Sequence, residues 1–255
     1  MKHIILSDKA HRPLPFYLAM EEVVARHFHE ECFFTWIVQP TVIFGRHQVM
    51  DNEVNVGFCV DNGIDMVRRK SGGGCVYADG GNIMMSYICP AQGTMQETFT
   101  RYLNLVTQAL QSFGIPAEIT GRNDILLNGR KISGNALYTT DNKRTTIVHG
   151  SLLHSTDLER MAAAITPPTE KLAKRGISSV RQRVMNISEA HACTIGSLRD
   201  HVTRSLCHTS AVFTPGMIAE TEALMRQYLS DEWLRGAPSG TENDDIFPQE
   251  QNTLT

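Results

Sequence analysis

Three short segments carry the side chains able to hold an anion. The first runs Arg68-Arg69-Lys70-Ser71-Gly72-Gly73-Gly74-Cys75-Val76-Tyr77-Ala78-Asp79, with Asn82 and Ser86 following. Three consecutive residues without Cβ let several backbone N–H groups turn toward one point and let a ligand approach the main chain. Guanidinium groups beside them add planar charged donors suited to carboxylate or phosphate. A glycine triplet by itself serves an ordinary hairpin turn equally well; the flanking arginines favour a ligand.

The second segment joins Gly121-Arg122-Asn123-Asp124 to Gly129-Arg130-Lys131-Ile132-Ser133-Gly134-Asn135-Ala136. Lys131, in a strand-like run, has two readings. Pointing inward, its ammonium requires an anion, because an unpaired buried charge deprotonates or destabilises the fold. Pointing outward, it decorates the solvent face of a hairpin. The third segment, His149-Gly150-Ser151-Leu152-Leu153, sets an imidazole and a hydroxyl beside a glycine. His149 is either a general base or a hydrogen-bonded structural residue, and no proton transfer is assigned to it.

The elements that must position these groups are legible in outline. Phe16, Met20, Val23, Val24, Ala25 and Phe28 recur at helical spacing and predict a helix over 15–29. Strands follow at 32–38 and 41–44, divided by Gln39-Pro40, and Gly45-Arg46-His47-Gln48 leaves the second strand where a sheet end can meet a ligand. A short helix at 53–61 and strands at 64–69, 74–78 and 82–88 place the glycine loop between sheet elements. That context excludes the dinucleotide fingerprint, whose loop runs straight into a helix, and the chain lacks the GK[ST] ending of a P-loop.

A strong helix spans 95–113, closed by Gly114, and short strands meander from 117 to 153 with turns at Asn128-Gly129 and Thr140-Asp141-Asn142-Lys143. Further helices are expected at 157–165, 195–207 and 215–229, the last opened by Thr214 and Pro215. The expected class is α/β of the α+β type, with mixed, largely antiparallel sheets packed with helices. One domain, 1–235, precedes a polar and loosely ordered tail, 236–255.

Composition narrows the function. At 255 residues and 42% hydrophobic content, the chain can bury a real core. A formal charge of −3 without a continuous basic stripe argues against nucleic acid. The apolar run Ile4-Ile5-Leu6 is too short for a signal peptide or a membrane span, so the expectation is a cytoplasmic protein without membrane attachment. Six cysteines, with no CxxC pair, read as reduced and mostly buried thiols. The cluster His27-Phe28-His29-Glu30-Glu31-Cys32 fits a helix end better than a zinc spacing.

Taken in order, Arg68-Arg69-x-Ser71-Gly72-Gly73-Gly74-x-Val76-Tyr77-x-Asp79-x-x-Asn82, then Asn123-Asp124-Ile125, Gly129 to Gly134, and His149 to Leu153 resemble the lipoate-protein ligase A family. Leu18-Ala19-x-Glu21-Glu22, Ile43-Phe44-Gly45-Arg46-x-Gln48 and Ser178-Ser179-Val180-x-x-Arg183-Val184-x-Asn186 extend the similarity over most of 15–190. The resemblance implies the biotin/lipoate protein ligase catalytic-domain fold. It implies that ATP and Mg²⁺ activate lipoate as lipoyl-AMP, whose acyl group passes to a lysine of a lipoyl carrier domain, in a 2-oxoacid dehydrogenase complex or the glycine-cleavage H protein.

By position, Lys131 matches the family's essential lysine. Arg69, Ser71, Gly72, Gly73, Gly74, Cys75 and Val76 match its lipoate-binding loop, with Lys131 and Arg69 opposing the charge of carboxylate and α-phosphate. Asn123 and Asp124 match residues beside the adenylate and its metal, Asp124 being the Mg²⁺ ligand. Gly134, Ala136, His149 and Ser151 match further pocket positions, and strands 74–78 and 134–138 are the expected walls of the slot for the apolar lipoyl tail.

Residues 166–185, with Lys171, Lys174, Arg175, Arg181 and Arg183, resemble the family's mobile loop. Ala78 stands where the family usually shows histidine, which implies a more open and less polar site. Asp231 to Gly236 resembles the passage into an accessory domain that relatives carry, and the chain ends about twenty residues later. A separate accessory polypeptide is one expectation from that ending. The rival readings are a lipoyl or octanoyl transferase of the same fold, which needs a thiolate, and a non-catalytic binder of lipoate or acyl adenylate. Residues 90–192 contain no cysteine, which leaves Cys75 as the thiol near the pocket.

Overall fold

A computed structural model describes residues 1–120, 123–165 and 183–236. The expected first helix is α1, Leu14–His27, almost wholly buried, with Arg26 and His27 in its last turn at the negative end of the helix dipole. It is followed by β2, Cys32–Trp36, and β3, Thr41–Phe44. The single helix expected at 53–61 is two: α2, Met50–Glu53, and α3, Val56–Asp61. Asn55 breaks them, its side chain accepting a hydrogen bond from the Phe58 amide as an N-cap rather than continuing a helix.

Two sheets organise the chain. The smaller has the order β4 (Asp65–Arg68), β3, β5 (Val76–Ala78), parallel in its first pair and antiparallel in its second. The larger has eight strands, ordered β11-β1-β2-β6-β10-β9-β8-β7. Its centre is β6 (Asn82–Pro90) against β10 (Thr145–Leu153), and β9 (Arg130–Thr139), β8 (Asp124–Leu127) and β7 (Glu118–Thr120) complete the antiparallel meander that turn residues predict. Asn128 and Gly129, at φ 51° and 73°, close the β8–β9 hairpin.

The sequence pattern does not reveal the far edge. β1, Lys2–Leu6, and β11, Thr209–Phe213, pair in parallel over five residues, and β1 then meets β2. Both are short, and β11 is largely exposed, so their strand form rests on pairing across two hundred residues rather than on local periodicity.

Helix α1 covers one face of the large sheet, with Phe34, Trp36, Met84, Ile88 and Ile147 beneath it. The strongly amphipathic α4, Met95–Ser112, and α6, Ile195–Leu206, cover the other face. Gly114, at φ 92°, ends the turn after α4, as the left-handed cap requires. Alternation along the small sheet sends Val42, Phe44 and Tyr77 toward α2, α3 and α5 (Leu158–Ala164), and sends Ile43, Val67 and Ala78 toward α1. A 3₁₀ turn at Ile187–Glu189, α7 (Pro215–Tyr228, capped by Thr214) and α8 (Asp231–Arg235) complete the described chain. No helix among the described residues is long and apolar enough to cross a membrane.

Candidate functional site

The glycine loop leaves β4 and enters β5 at the junction of the two sheets. Arg69, 4% exposed, does not reach outward from it. Its Nε donates to Ser71 Oγ (3.0 Å), one Nη to the Ile43 carbonyl (3.1 Å), and the other Nη to the carbonyls of Gly72 and Gly74 (2.7 Å each). A guanidinium has five N–H donors, so the loop's own acceptors take most of them. Arg69 is thus an internal brace that curves the loop, and it also lines the cavity described below.

Its charge remains. No carboxylate among the described residues pairs with Arg69, and burial drives its pKa down to about 10, still protonated at neutral pH. The loop also needs Gly45 beside it, because a Cβ there would lie 2.3 Å from the Gly73 carbonyl oxygen. Gly73, at φ 89°, takes a conformation that side chains rarely adopt.

A buried hydrogen-bonded chain fixes the other end of the brace. Ser71 Oγ lies 2.6 Å from His149 Nε2, and His149 Nδ1 lies 3.2 Å from Glu21 Oε2. Glu21 Oε1 accepts from Ser86 Oγ (2.6 Å), which accepts from Trp36 Nε1 (2.9 Å). One set of directions satisfies every member: Ser71 O–H donates to the imidazole, and its Nδ1–H donates to the carboxylate. Of the alternatives for His149, the hydrogen-bonded structural role agrees with this placement.

Lys131 approaches from the opposite wall. The β8–β9 register shifts between Ile125 and Leu126, opposite Ser133 and Lys131, so Ile132 is an extra residue in β9. Such a bulge exchanges the faces of the residues on either side of it. By parity Lys131 would share a face with Ser133; the bulge sets it with Gly134 and Ala136 instead, on the cavity. Its Nζ lies 2.7 Å from Asp124 Oδ1, both side chains being about a quarter to a third exposed, 30% and 26%. A Cβ at position 134 would come within 2.8 Å of Lys131 Cε and Nζ, so Gly134 leaves the path on which the lysine lies. Asn123 and Asn135 tie the start of β8 to β9 reciprocally, each side-chain amide donating to the other's carbonyl at 3.1 and 2.9 Å.

These walls enclose a cavity of about 120 Å³. Arg69, Gly73, Gly74, Cys75 and Val76 line one side, and Asn123, Lys131, Gly134, Ala136, His149 and Ser151 the other. Three expected residues stand behind the lining: Ser71 and Gly72 hold Arg69, and Asp124 holds Lys131. Ala78 is fully buried in the core and is not one of the residues that line the cavity.

Sequence reasoning missed the apolar floor. Leu18, Trp36, Ile43 and Met84 supply it, with Asn135 and Gly150 on the rim. Each of the four apolar residues reads in sequence as ordinary core, and the one available signal was Glu21, a carboxylate on the apolar face of α1 that is fully buried. Lys171, Lys174, Arg175 and Arg181 of the expected mobile loop lie outside the described residues. Val184 forms a bridge with Lys131, and the Met185 amide donates to the Lys131 carbonyl at 3.0 Å.

Burial works against ionisation of the thiol that lines the cavity. Burial pushes Cys75 up to about 12, and the other five cysteines are also raised by burial. All six are unpaired. No group of three or more His, Cys, Asp or Glu side chains among the described residues is arranged to hold a metal. Asp124 offers a single carboxylate, which fits Mg²⁺ where phosphates and water complete the coordination shell.

Residues 13–207 match the family model of the lipoyl protein ligase A/B catalytic domain. Over 199 residues the chain is 37% identical to lipoate-protein ligase LplJ of Bacillus subtilis, an overlap covering 76% of this chain and 60% of that protein. It is 41% identical over 174 residues to lipoate-protein ligase 1 of Staphylococcus aureus, covering 68% and 52% respectively. The chain therefore spans little more than half the length of these relatives.

Among solved structures, a chain from the structure of a bi-partite lipoate protein ligase and its E2 lipoyl domain from Thermoplasma acidophilum superposes with a TM-score of 0.81 at 24% identity, covering 94% of this chain and 97% of that one. Lipoate-protein ligase A bound with ATP superposes at 0.79 and 23% identity, covering 93% and 99%. These two establish the fold. The family match runs from the start of α1 to the end of α6 and so takes in the small sheet, the large sheet apart from β1 and β11, and every wall of the cavity: the chain belongs to the lipoyl protein ligase A/B catalytic domain family.

Proposed function

We propose that this protein activates lipoate with ATP and transfers the lipoyl group to the ε-amino group of a lysine on a lipoyl carrier domain. One observation carries the reading: two cations, Lys131 and the carboxylate-free Arg69, face a single cavity from opposite walls over an apolar floor. Adenylation brings a carboxylate and an α-phosphate together, both anionic, so a site that reduces their repulsion directly lowers the barrier. Leu18, Trp36, Ile43 and Met84 suit an acyl tail.

In this scheme a carboxylate oxygen attacks the α-phosphorus while the bond to the β-phosphate oxygen breaks, releasing pyrophosphate. Lys131, drawn from Asp124 to the developing charge, stabilises the mixed anhydride. The carrier amine then attacks the acyl carbon, the C–O bond to AMP breaks, and the amine loses its proton. Asp124 would hold Mg²⁺ together with the phosphates, supplying charge neutralisation there. A separate accessory polypeptide assisting the first half-reaction belongs to the proposal. So does a cytoplasmic setting, which unpaired cysteines support. The acceptors are carrier domains of 2-oxoacid dehydrogenase complexes or the glycine-cleavage H protein.

The test is lipoate-dependent ATP–pyrophosphate exchange, followed by the mass of an added carrier domain, with Lys131→Ala as control. Exchange and a lipoyl mass increase, both lost in the variant, are expected. Transfer from supplied lipoyl-AMP without exchange would reduce the assignment to the second half-reaction. ATP-independent transfer from an octanoyl carrier thioester would replace it with a thiol mechanism, and binding without any transfer would leave a non-catalytic binder.

A further inference from the structure

Lys131 and Arg69 account for the cavity, but the two cations on either side of Arg69 do not face it. Arg68, 3% exposed, is spent on backbone acceptors of two other segments. Its Nε donates to the Trp233 carbonyl (2.9 Å) and one Nη to the Leu234 carbonyl (3.0 Å), both in α8. The other Nη donates to the carbonyls of Arg46 (2.7 Å) and Gln48 (2.8 Å). In return, Trp233 Nε1 donates to the Arg68 carbonyl at 2.9 Å. Its guanidinium lies 4.7 Å over the Phe44 ring.

The 45–48 loop that Arg68 holds is in turn the glycine loop's support. The Arg46 amide donates to the Ser71 carbonyl at 3.0 Å, and Gly45 packs against the Gly73 carbonyl too closely to admit a Cβ. On the other side, Lys70 pairs with Glu22 at 2.8 Å, and Glu22 accepts from the Tyr228 hydroxyl, at the end of α7, at 2.6 Å. Tyr228 and Trp233 meet edge to face, with ring centroids 6.0 Å apart.

We propose that α7 and α8 form a brace that sets the glycine loop for its ligand, and that Arg68 and Lys70 are positioning residues carrying that brace to either side of Arg69. Both helices lie beyond the residues that the family model matches, 13–207. The alternation of side chains at the strand end explains the division: position 69 turns to the cavity, and positions 68 and 70 turn to the carboxy-terminal helices. Because Arg69 bonds to the carbonyls of Gly72 and Gly74, a shift at either neighbour is transmitted to the cavity wall within two residues. The ligand consequence rests on the ligase reading above; the mechanical linkage does not.

The test uses Trp233→Phe in the full chain, which keeps an aromatic ring against Tyr228 and deletes the indole donor to the Arg68 carbonyl, with Tyr228→Phe as a second variant cutting the Lys70 side. Hydrogen–deuterium exchange is compared with the parent, and lipoate KM and kcat are measured by pyrophosphate exchange. Trp233→Phe is expected to speed exchange about fivefold at 45–48 and 71–76, the effect of losing one buried hydrogen bond. It leaves 82–90 unchanged, and it raises lipoate KM by a similar factor with kcat within about twofold. Faster exchange confined to 215–236 with KM unchanged in both variants would overturn the brace and reduce these helices to packing. A parent that gives no pyrophosphate exchange would overturn the ligase reading, and the deuterium pattern would still decide the brace.

Discussion

The two cations of the cavity are held in opposite ways. Arg69 is buried and fastened by four hydrogen bonds to the chain that surrounds it. Lys131 is partly exposed, touches one carboxylate at 2.7 Å, and sits on a strand bent by a bulge. A fork with five donors can shape a loop and present a fixed positive field at once; a compact ammonium on a flexible stem can leave one anion for another. The wall built on Arg69 is therefore preorganised, and the wall built on Lys131 is responsive.

Replacing each cation separates the two roles most sharply. Lys131→Ala should lower lipoate-dependent exchange by at least about a hundredfold and barely move the melting temperature, since a partly exposed ion pair contributes little to stability. Arg69→Ala should fail in both respects, because Ser71 and three carbonyls lose their donor. Roughly 3 kcal/mol or more, near 10 °C in melting temperature for a chain of this size, is expected. Arg69→Lys should not rescue it, since an ammonium cannot span the same acceptors. Thermal melts beside exchange assays decide the matter, and equal stability losses at 69 and 131 would erase the contrast.

Two glycines probe the same contrast through space rather than charge. A methyl at Gly134 meets only the flexible end of Lys131, at 2.8 Å, so Gly134→Ala should displace the ammonium and lower activity about tenfold while stability changes by less than about 1 kcal/mol. A methyl at Gly45 meets the backbone oxygen of Gly73 at 2.3 Å. Gly45→Ala should accordingly destabilise the fold by about 2 kcal/mol or more, seen as a lower urea midpoint with an unchanged slope. An inactive but stable Gly45→Ala protein would show that the Arg69 wall yields as easily as the other.

The sequence made the cations visible but not this difference between them. Helical spacing from Phe16 to Phe28 and from Phe99 to Phe113 is strong, and α1 and α4 fall within two residues of expectation. Asn128-Gly129 announces its hairpin through the turn chemistry itself. What local pattern cannot carry is register. Lys131 reaches the cavity through the extra residue Ile132, which is invisible until β8 and β9 are paired. The floor residues Trp36 and Met84 are opposite one another on β2 and β6, a neighbourhood created by strand pairing forty-eight residues apart. Arg69 was identified as a site residue from its neighbours, yet its engagement by Ile43, Gly72 and Gly74 carbonyls depends on how the loop closes.

The smallest effect concerns the thiol on the Arg69 wall. Cys75 lines the cavity beside Arg69, whose positive charge favours the thiolate, yet burial outweighs that and raises the thiol to about 12. A thiol so raised is about one part in ten thousand ionised at pH 8. Its alkylation by iodoacetamide, followed by peptide mass spectrometry, should therefore quicken about tenfold per pH unit from 7 to 9.5 without a plateau, because reactivity follows the thiolate fraction. A plateau near pH 8 would mean that the charge of Arg69 wins over desolvation. The preorganised wall would then hold an ionised nucleophile, and acyl transfer through sulfur would displace adenylation as the chemistry of the cavity.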